Sequence, residues 1–250
     1  MANQHPIILV HGIFGYGPNE VLGFPYWGQA FDAERPPGYG DGSISAASVG
    51  PLSSNHDRAC ELFAQIKGGE HAQVDYGEEH ANKAGHERKG KIFESKDYLY
   101  PDWSEKNPIH LVGHSQGGPT IRMLQYLLHI DYWKLGTSAN WIKSITGISP
   151  VFNGSTLTYM FGCDQNTGAI NQSLRGELLT KALKALAALT DSRFKDIYDF
   201  DLAHWHQEPR AEGESWPDYL SRIANSGLFE GEDNAIYSLT IQNMRKENHS

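Results

Sequence analysis

The residues best suited to chemistry lie in Gly113-His-Ser-Gln-Gly117, a serine flanked on each side, one residue away, by glycine. The apolar run Ile109-His-Leu-Val112 precedes it, and Pro119 to Ile130 follows with Ile121, Leu124, Leu127 and Leu128 at helical spacing. A serine in such a strand-to-helix turn is held in a strained conformation above the sheet edge, and the glycines let the backbone close around it. The positive end of the following helix favours an oxyanion formed there. This pattern predicts Ser115 as a nucleophile for acyl transfer.

Acyl transfer also needs two backbone N–H groups aimed at the developing oxyanion. One belongs to the residue after the nucleophile, Gln116. The other is expected in a loop after an early strand, and Pro6-Ile-Ile-Leu-Val10 followed by His11-Gly-Ile-Phe-Gly15 supplies both strand and loop, with Ile13 as donor. Histidines 11 and 114 stand in turns beside these groups and read as structural hydrogen-bonding residues, because in this arrangement acid and base follow the serine along the chain. His204, His206, His249, Asp191, Asp196, Asp199 and Asp201 do follow it, but in helical or polar segments. None is assigned as acid or base.

The elements that must position these groups fit one domain spanning residues 1–250, with 39% apolar residues to build its core. A net charge of -9 and the absence of a basic block argue against nucleic-acid binding. Cys60 and Cys163 are too few for a disulfide framework or a cysteine zinc motif. The start Met-Ala-Asn-Gln-His-Pro has no basic n-region, and no apolar run is long enough for a signal or a membrane span; the compartment stays undetermined. Strands are predicted over Ser43–Val49 and Trp141–Ser149 and a helix over Asn55–Ile66, giving an α/β fold with a mostly parallel sheet flanked by helices. Residues 68–91 are polar and read as an insertion away from the core. Ser173 to Thr190 spaces Leu174, Leu178, Leu183, Leu186 and Leu189 along one side, which suits either a surface helix packed on the core or a lid over an apolar site.

Several segments together, Pro6 to Gly15, Gly23-Phe-Pro-Tyr-Trp-Gly28, Val49 to Cys60, Val74-Asp-Tyr-Gly77 and His114 to Gly118, resemble the zinc-containing thermoalkalophilic lipases of bacilli. The resemblance runs from about residue 6 to the C-terminus, weakens between residues 128 and 197, and resumes at Tyr198-Asp-Phe200, Gly213-Glu-Ser215 and around Asp233. It implies an α/β-hydrolase fold with a lid-like helix, and hydrolysis of lipid-like acyl esters through an acyl-enzyme. It also implies transient contact with a lipid interface, and relatives that are secreted. By the same resemblance a zinc ion would be held by Asp57, His80, His86 and Asp233, which makes residues 68–91 a zinc-binding insertion. Two imidazoles and two carboxylates make a sensible tetrahedral set with no open position, so the metal would be structural. His56, where the family has an aromatic residue, is a decoy ligand.

The departures from that family are also specific. Gly113 stands where the family has alanine, and Phe152 and Asn153 replace its His and Asp. The family continues past the position of Ser250 through its last strands, a calcium site and the triad Asp and His. Here Ile236 to Gln242 leads into the polar tail Asn243 to Ser250, so the last strands are expected to be missing. A serine without its base retains roughly 10³- to 10⁴-fold over water. The alternative expectation is therefore a truncated, inert relative that binds zinc and lipid without turnover.

Overall fold

The computed structural model describes residues 4–18, 20, 25–28, 44–170, 201–208, 210–224 and 231–249. The predicted amphipathic helix at 173–190 lies outside the described residues, as do Asp191, Asp196 and Asp199.

Strands β1 (Ile7–Val10), β2 (Ile44–Ala46), β5 (Ile109–His114) and β6 (Ile142–Ile148) form a parallel sheet in the order β2-β1-β5-β6. Register pairs Ile8 with Ser45 on one side and with Leu111 on the other. The β-branched run of β1 has Ile8, Leu9 and Val10 buried, as a central parallel strand requires. At the other margin β6 is buried only at Ile142, the rest of the strand being exposed or half-exposed.

Helices α1 (Asn55–Lys67) and α3 (Gly117–His129) pack on each other, and α3 also lies against β5 and β6. The sequence predicts α1 from its capping residues and α3 from its apolar spacing. Ser54 caps α1, its hydroxyl accepting from the Asp57 N–H at 3.2 Å, so Asp57 occupies the first turn where a carboxylate meets the positive helix end. Leu62, Ile66, Ile121, Leu124 and Leu128 are fully buried between the helices and the sheet.

The segment 68–91 is more integrated than its polarity suggests. It holds β3 (Gln73–Asp75), α2 (Glu78–Ala84) and the start of β4 (Lys89–Ile92), with β3 and β4 antiparallel. Val74, Tyr76 and, just past β4, Phe93 belong to the main core, and the Trp133 indole stacks on Phe63 at 3.9 Å while donating to the Asp75 carbonyl. The expectation of an excursion from the core is corrected: β3 buries only Val74 and β4 no apolar side chain of its own, with Tyr76 and Phe93 just outside the strands, too few to register as a period.

The end of the chain differs as well. The span from Ile236 forms α6 (Ala235–Ser238) and α7 (Ile241–His249), after α4 (Leu157–Met160) and α5 (Trp216–Ala224). The supposed tail is therefore helical. It is held by buried Met244 and by Glu247, which accepts from Asn55 Nδ2 at 3.0 Å and Asn243 Nδ2 at 2.7 Å.

The Arg58 side chain, fully buried on α1, donates to the Gly50 carbonyl at 2.8 Å, to Thr120 Oγ1 at 3.0 Å and to the His11 carbonyl. It ties the loop after β1, the approach to α1 and the first turns of α3 into one unit. Removing it strands buried acceptors, each costing about 1–3 kcal/mol. Arg58→Ala should lower unfolding free energy by at least about 3 kcal/mol in urea titration; a loss below about 1 kcal/mol would show that the three contacts are dispensable.

Candidate active site and metal centre

Ser115 sits at the C-terminal end of β5 with φ of 53°, in the left-handed region that non-glycine residues rarely occupy. Its N–H is held by the Ile148 carbonyl at 3.0 Å, and its carbonyl accepts from Gly118 N–H at 3.1 Å, so the turn is fixed at both ends. The flanking glycines have steric reasons. A Cβ on Gly117 would lie 2.1 Å from the Val10 carbonyl oxygen, and one on Gly12 would lie 2.8 Å from Ser115 Cβ and 3.3 Å from its Oγ. The His11–Gly15 loop therefore passes directly over the serine.

In that loop the Phe14 N–H donates to the Pro51 carbonyl at 3.0 Å and the Gly15 N–H to the Gly12 carbonyl at 3.1 Å. Among the described residues the N–H groups of Ile13 and Gln116 have no hydrogen-bond partner. Gln116 is fully buried, and its side-chain amide donates to the Ser53 carbonyl at 3.0 Å, which fastens the elbow to the start of α1.

The nearby histidines are occupied. His11 is wholly buried, its Nδ1 bonded to the Gly12 carbonyl at 2.9 Å and its Nε2 accepting from Val49 N–H at 3.4 Å. Burial, with the Arg58 charge adding to it, pushes its pKa down to about 3, so it is neutral. His114 Nδ1 shares a 2.6 Å hydrogen bond with the Tyr26 hydroxyl, which also accepts from Gly12 N–H at 3.1 Å. Tyr26, raised above its ordinary pKa by burial, thus joins the loop to the elbow. It drew no notice as a functional residue in the sequence, where its one signal was the aromatic cluster ending at Gly28. Among the described residues no imidazole hydrogen-bonds to Ser115 Oγ.

Farther along α1 a second cluster forms. One donor atom from each of Asp57, His80, His86 and Asp233 lies within 4.8 Å of the others. His80 Nε2 is 2.9 Å from Asp57 Oδ1 and 3.3 Å from Asp233 Oδ1, and His86 Nε2 is 3.2 Å from Asp233 Oδ2. Yet His80 Nε2, His86 Nε2 and both Asp233 oxygens are buried and make no properly directed hydrogen bond. Orphaned donor atoms converging on one point, with two carboxylates to balance a divalent charge, are what a cation-binding site requires. Burial opposes charge on His80, but the close carboxylates of Asp233 and Asp57 outweigh it and raise its pKa to about 9. Burial likewise opposes charge on Asp57, yet bonds from His204, His56 and His80 hold it well below the carboxylate range. The suspected decoy His56 stacks on His80 at 3.7 Å and stands outside the four.

The lipase-like, C-terminal domain model matches residues 3–250. The chain belongs to that lipase family. Lipase 2 of Staphylococcus aureus is 35% identical over 269 residues, covering 99% of this lipase-like domain and 36% of the relative. The structure of EstA from Clostridium botulinum is 34% identical with a TM-score of 0.77, covering 99% of this chain and 57% of its own. Lipase 1 from Pelosinus fermentans is 36% identical with a TM-score of 0.75, covering 98% of this chain and 64% of its own. This lipase-like domain thus spans 36% of the length of the staphylococcal relative. Its parallel sheet with flanking helices is the α/β-hydrolase-like fold of these structural neighbours. No helix among its described residues is long and apolar enough to cross a membrane.

The close approach at Gly117 makes a direct test. Gly117→Ala forces a methyl group to within 2.1 Å of a backbone oxygen of β1 and should cost about 1–3 kcal/mol or more in thermal or urea unfolding. An unchanged midpoint would mean that the elbow and β1 are not packed in this way.

Proposed function

We propose that this lipase-like domain is the nucleophile-bearing part of a carboxylic-ester hydrolase acting on lipid-like acyl esters, and that Ser115 is its nucleophile. The observation that carries the reading is the positive φ of Ser115 at a glycine-walled turn, directly under a loop with an unengaged N–H at Ile13. Ser115 Oγ attacks the ester carbonyl while the N–H groups of Ile13 and Gln116 receive the oxyanion; the ester C–O bond then breaks and the alcohol leaves with the serine proton, after which water cleaves the acyl–serine bond, freeing the carboxylic acid and returning a proton to Oγ. Gln116 lies at the N-terminus of a 13-residue helix, whose dipole adds to the stabilisation. The names of the relatives, lipases and an Est-type protein, favour esters of the lipid class.

Incubation with a long-chain alkyl phosphonate should label Ser115 stoichiometrically, as read by peptide mass spectrometry, and Ser115→Ala should take up none. A folded sample that is left unlabelled, or labelled equally after Ser115→Ala, would overturn the assignment.

The metal centre belongs to the same reading: Asp57, His80, His86 and Asp233 would hold one structural zinc, as in the bacillary lipases that the sequence resembles. Four protein ligands fill a tetrahedral shell, so the ion would brace α1 against α2 and the segment before α6 and take no part in ester cleavage. Dialysis against chelator should lower the thermal midpoint, and zinc at about a thousandfold over its Kd should restore about 4 kcal/mol. His86→Ala should abolish that response. A midpoint indifferent to zinc in the wild-type chain would refute the site.

A further inference from the structure

We infer that the turn Leu202–Trp205 is a positioning element of the metal centre, with His204 holding Asp57 and Trp205 holding Asp233; the inference rests on the zinc reading above. Two of the four cluster residues, His80 and His86, come from α2 and its C-terminal end and are placed by local structure. The two carboxylates come from the first turn of α1 and from the segment before α6, far apart in sequence, and need an external frame.

That frame is one short turn. His204 Nε2 lies 2.9 Å from Asp57 Oδ2, while Asp57 Oδ1 faces His80. The carboxylate is thereby held by an imidazole on Oδ2, which also lies 3.6 Å from His86 Nε2, while Oδ1 is left to the cluster through His80. The next residue, Trp205, donates its indole N–H to the Asp233 carbonyl at 3.3 Å and so fixes the backbone that carries the second carboxylate.

The turn itself is well anchored. The His204 side chain is only 7% exposed, and its ring is wedged edge-on against Tyr76 at 4.9 Å and tilted over His86 at 4.4 Å. Tyr76 is fixed in turn by its hydroxyl, 3.3 Å from Glu61 Oε1. At the start of the turn Lys91 Nζ bridges Asp201 at 3.1 Å and Glu61 at 3.4 Å. His204 is nonetheless not one of the four residues whose donor atoms converge. Its position is that of a group that orients a ligand, and loss of such partners typically weakens metal binding 10- to 100-fold.

Two substitutions in the full chain separate hydrogen bonding from packing. His204→Phe keeps an aromatic ring against Tyr76 and His86 but removes the donor; His204→Gln keeps an N–H donor at similar reach and removes the ring. Zinc affinity, measured by competition with a chromophoric chelator, should fall about 10- to 100-fold for His204→Phe and recover most of that loss for His204→Gln. With cobalt(II) in place of zinc, the visible bands should keep the same intensity in wild type and His204→Gln, since the coordination number is unchanged. Equal zinc affinity in wild type and His204→Phe would overturn the positioning role. So would weakened binding and altered cobalt bands in His204→Gln, which would make His204 a ligand. If wild type itself binds no zinc, the metal reading fails and this inference with it.

Discussion

A buried guanidinium is costly unless its donors are engaged, and Arg58 meets that demand by serving three segments at once. It holds the carbonyls of Gly50 and His11 and the hydroxyl of Thr120, each of which lies next to a part of the site. The His11 carbonyl precedes Gly12, which faces Ser115, and Thr120 belongs to the first turn of α3 and also donates to the Gln116 carbonyl. The geometry between the loop over the serine and the elbow beneath it is therefore set by one side chain of α1.

The same helix carries the rest of the polar architecture. Asp57 reaches the metal cluster, while Glu61, one turn on, accepts from the Gly50 N–H and pairs with Lys91. Burial raises the Glu61 pKa, with the Lys91 ammonium and the Gly50 N–H working against it. Three polar residues in successive positions of the helix face, Asp57, Arg58 and Glu61, are each fully buried. A helix with this content is stable only in its full setting, where each buried polar group has its partners.

Much of this was legible in the sequence, and the exceptions have a common cause. The strands β1 and β5 and helix α3 were readable because their apolar pattern is local, α1 because of its cap, and the turn at residue 115 because the glycine pattern is a five-residue constraint. Tyr26 was not, since its bond to His114 spans 88 positions, and neither was the contact of His204 with Asp57, which spans 147. The four metal-cluster residues emerged from family resemblance, because their own spacing in a polar stretch carries little signal. The C-terminal helix was hidden for another reason: a segment with one buried apolar side chain, Met244, has no stripe, and its docking relies on Asn55 reaching Glu247.

Charge explains why the cluster is built as it is. Asp57 is wholly buried and Asp233 nearly so, and two carboxylates that close repel unless a positive charge lies between them. Without a metal, protons on His80 and His204 supply that charge: the carboxylates raise both pKa values, that of His80 to about 9 from the ordinary 6.5. The sign follows: protonated His80 contributes stability fully below about pH 6.5, and the contribution fades as pH rises through about 9. A divalent cation works in the opposite direction, since its imidazole ligands must be neutral and its binding strengthens as protons are withdrawn. A proton and a divalent cation would thus be alternative counter-charges for one buried acidic pair, each holding α1 in place through Asp57.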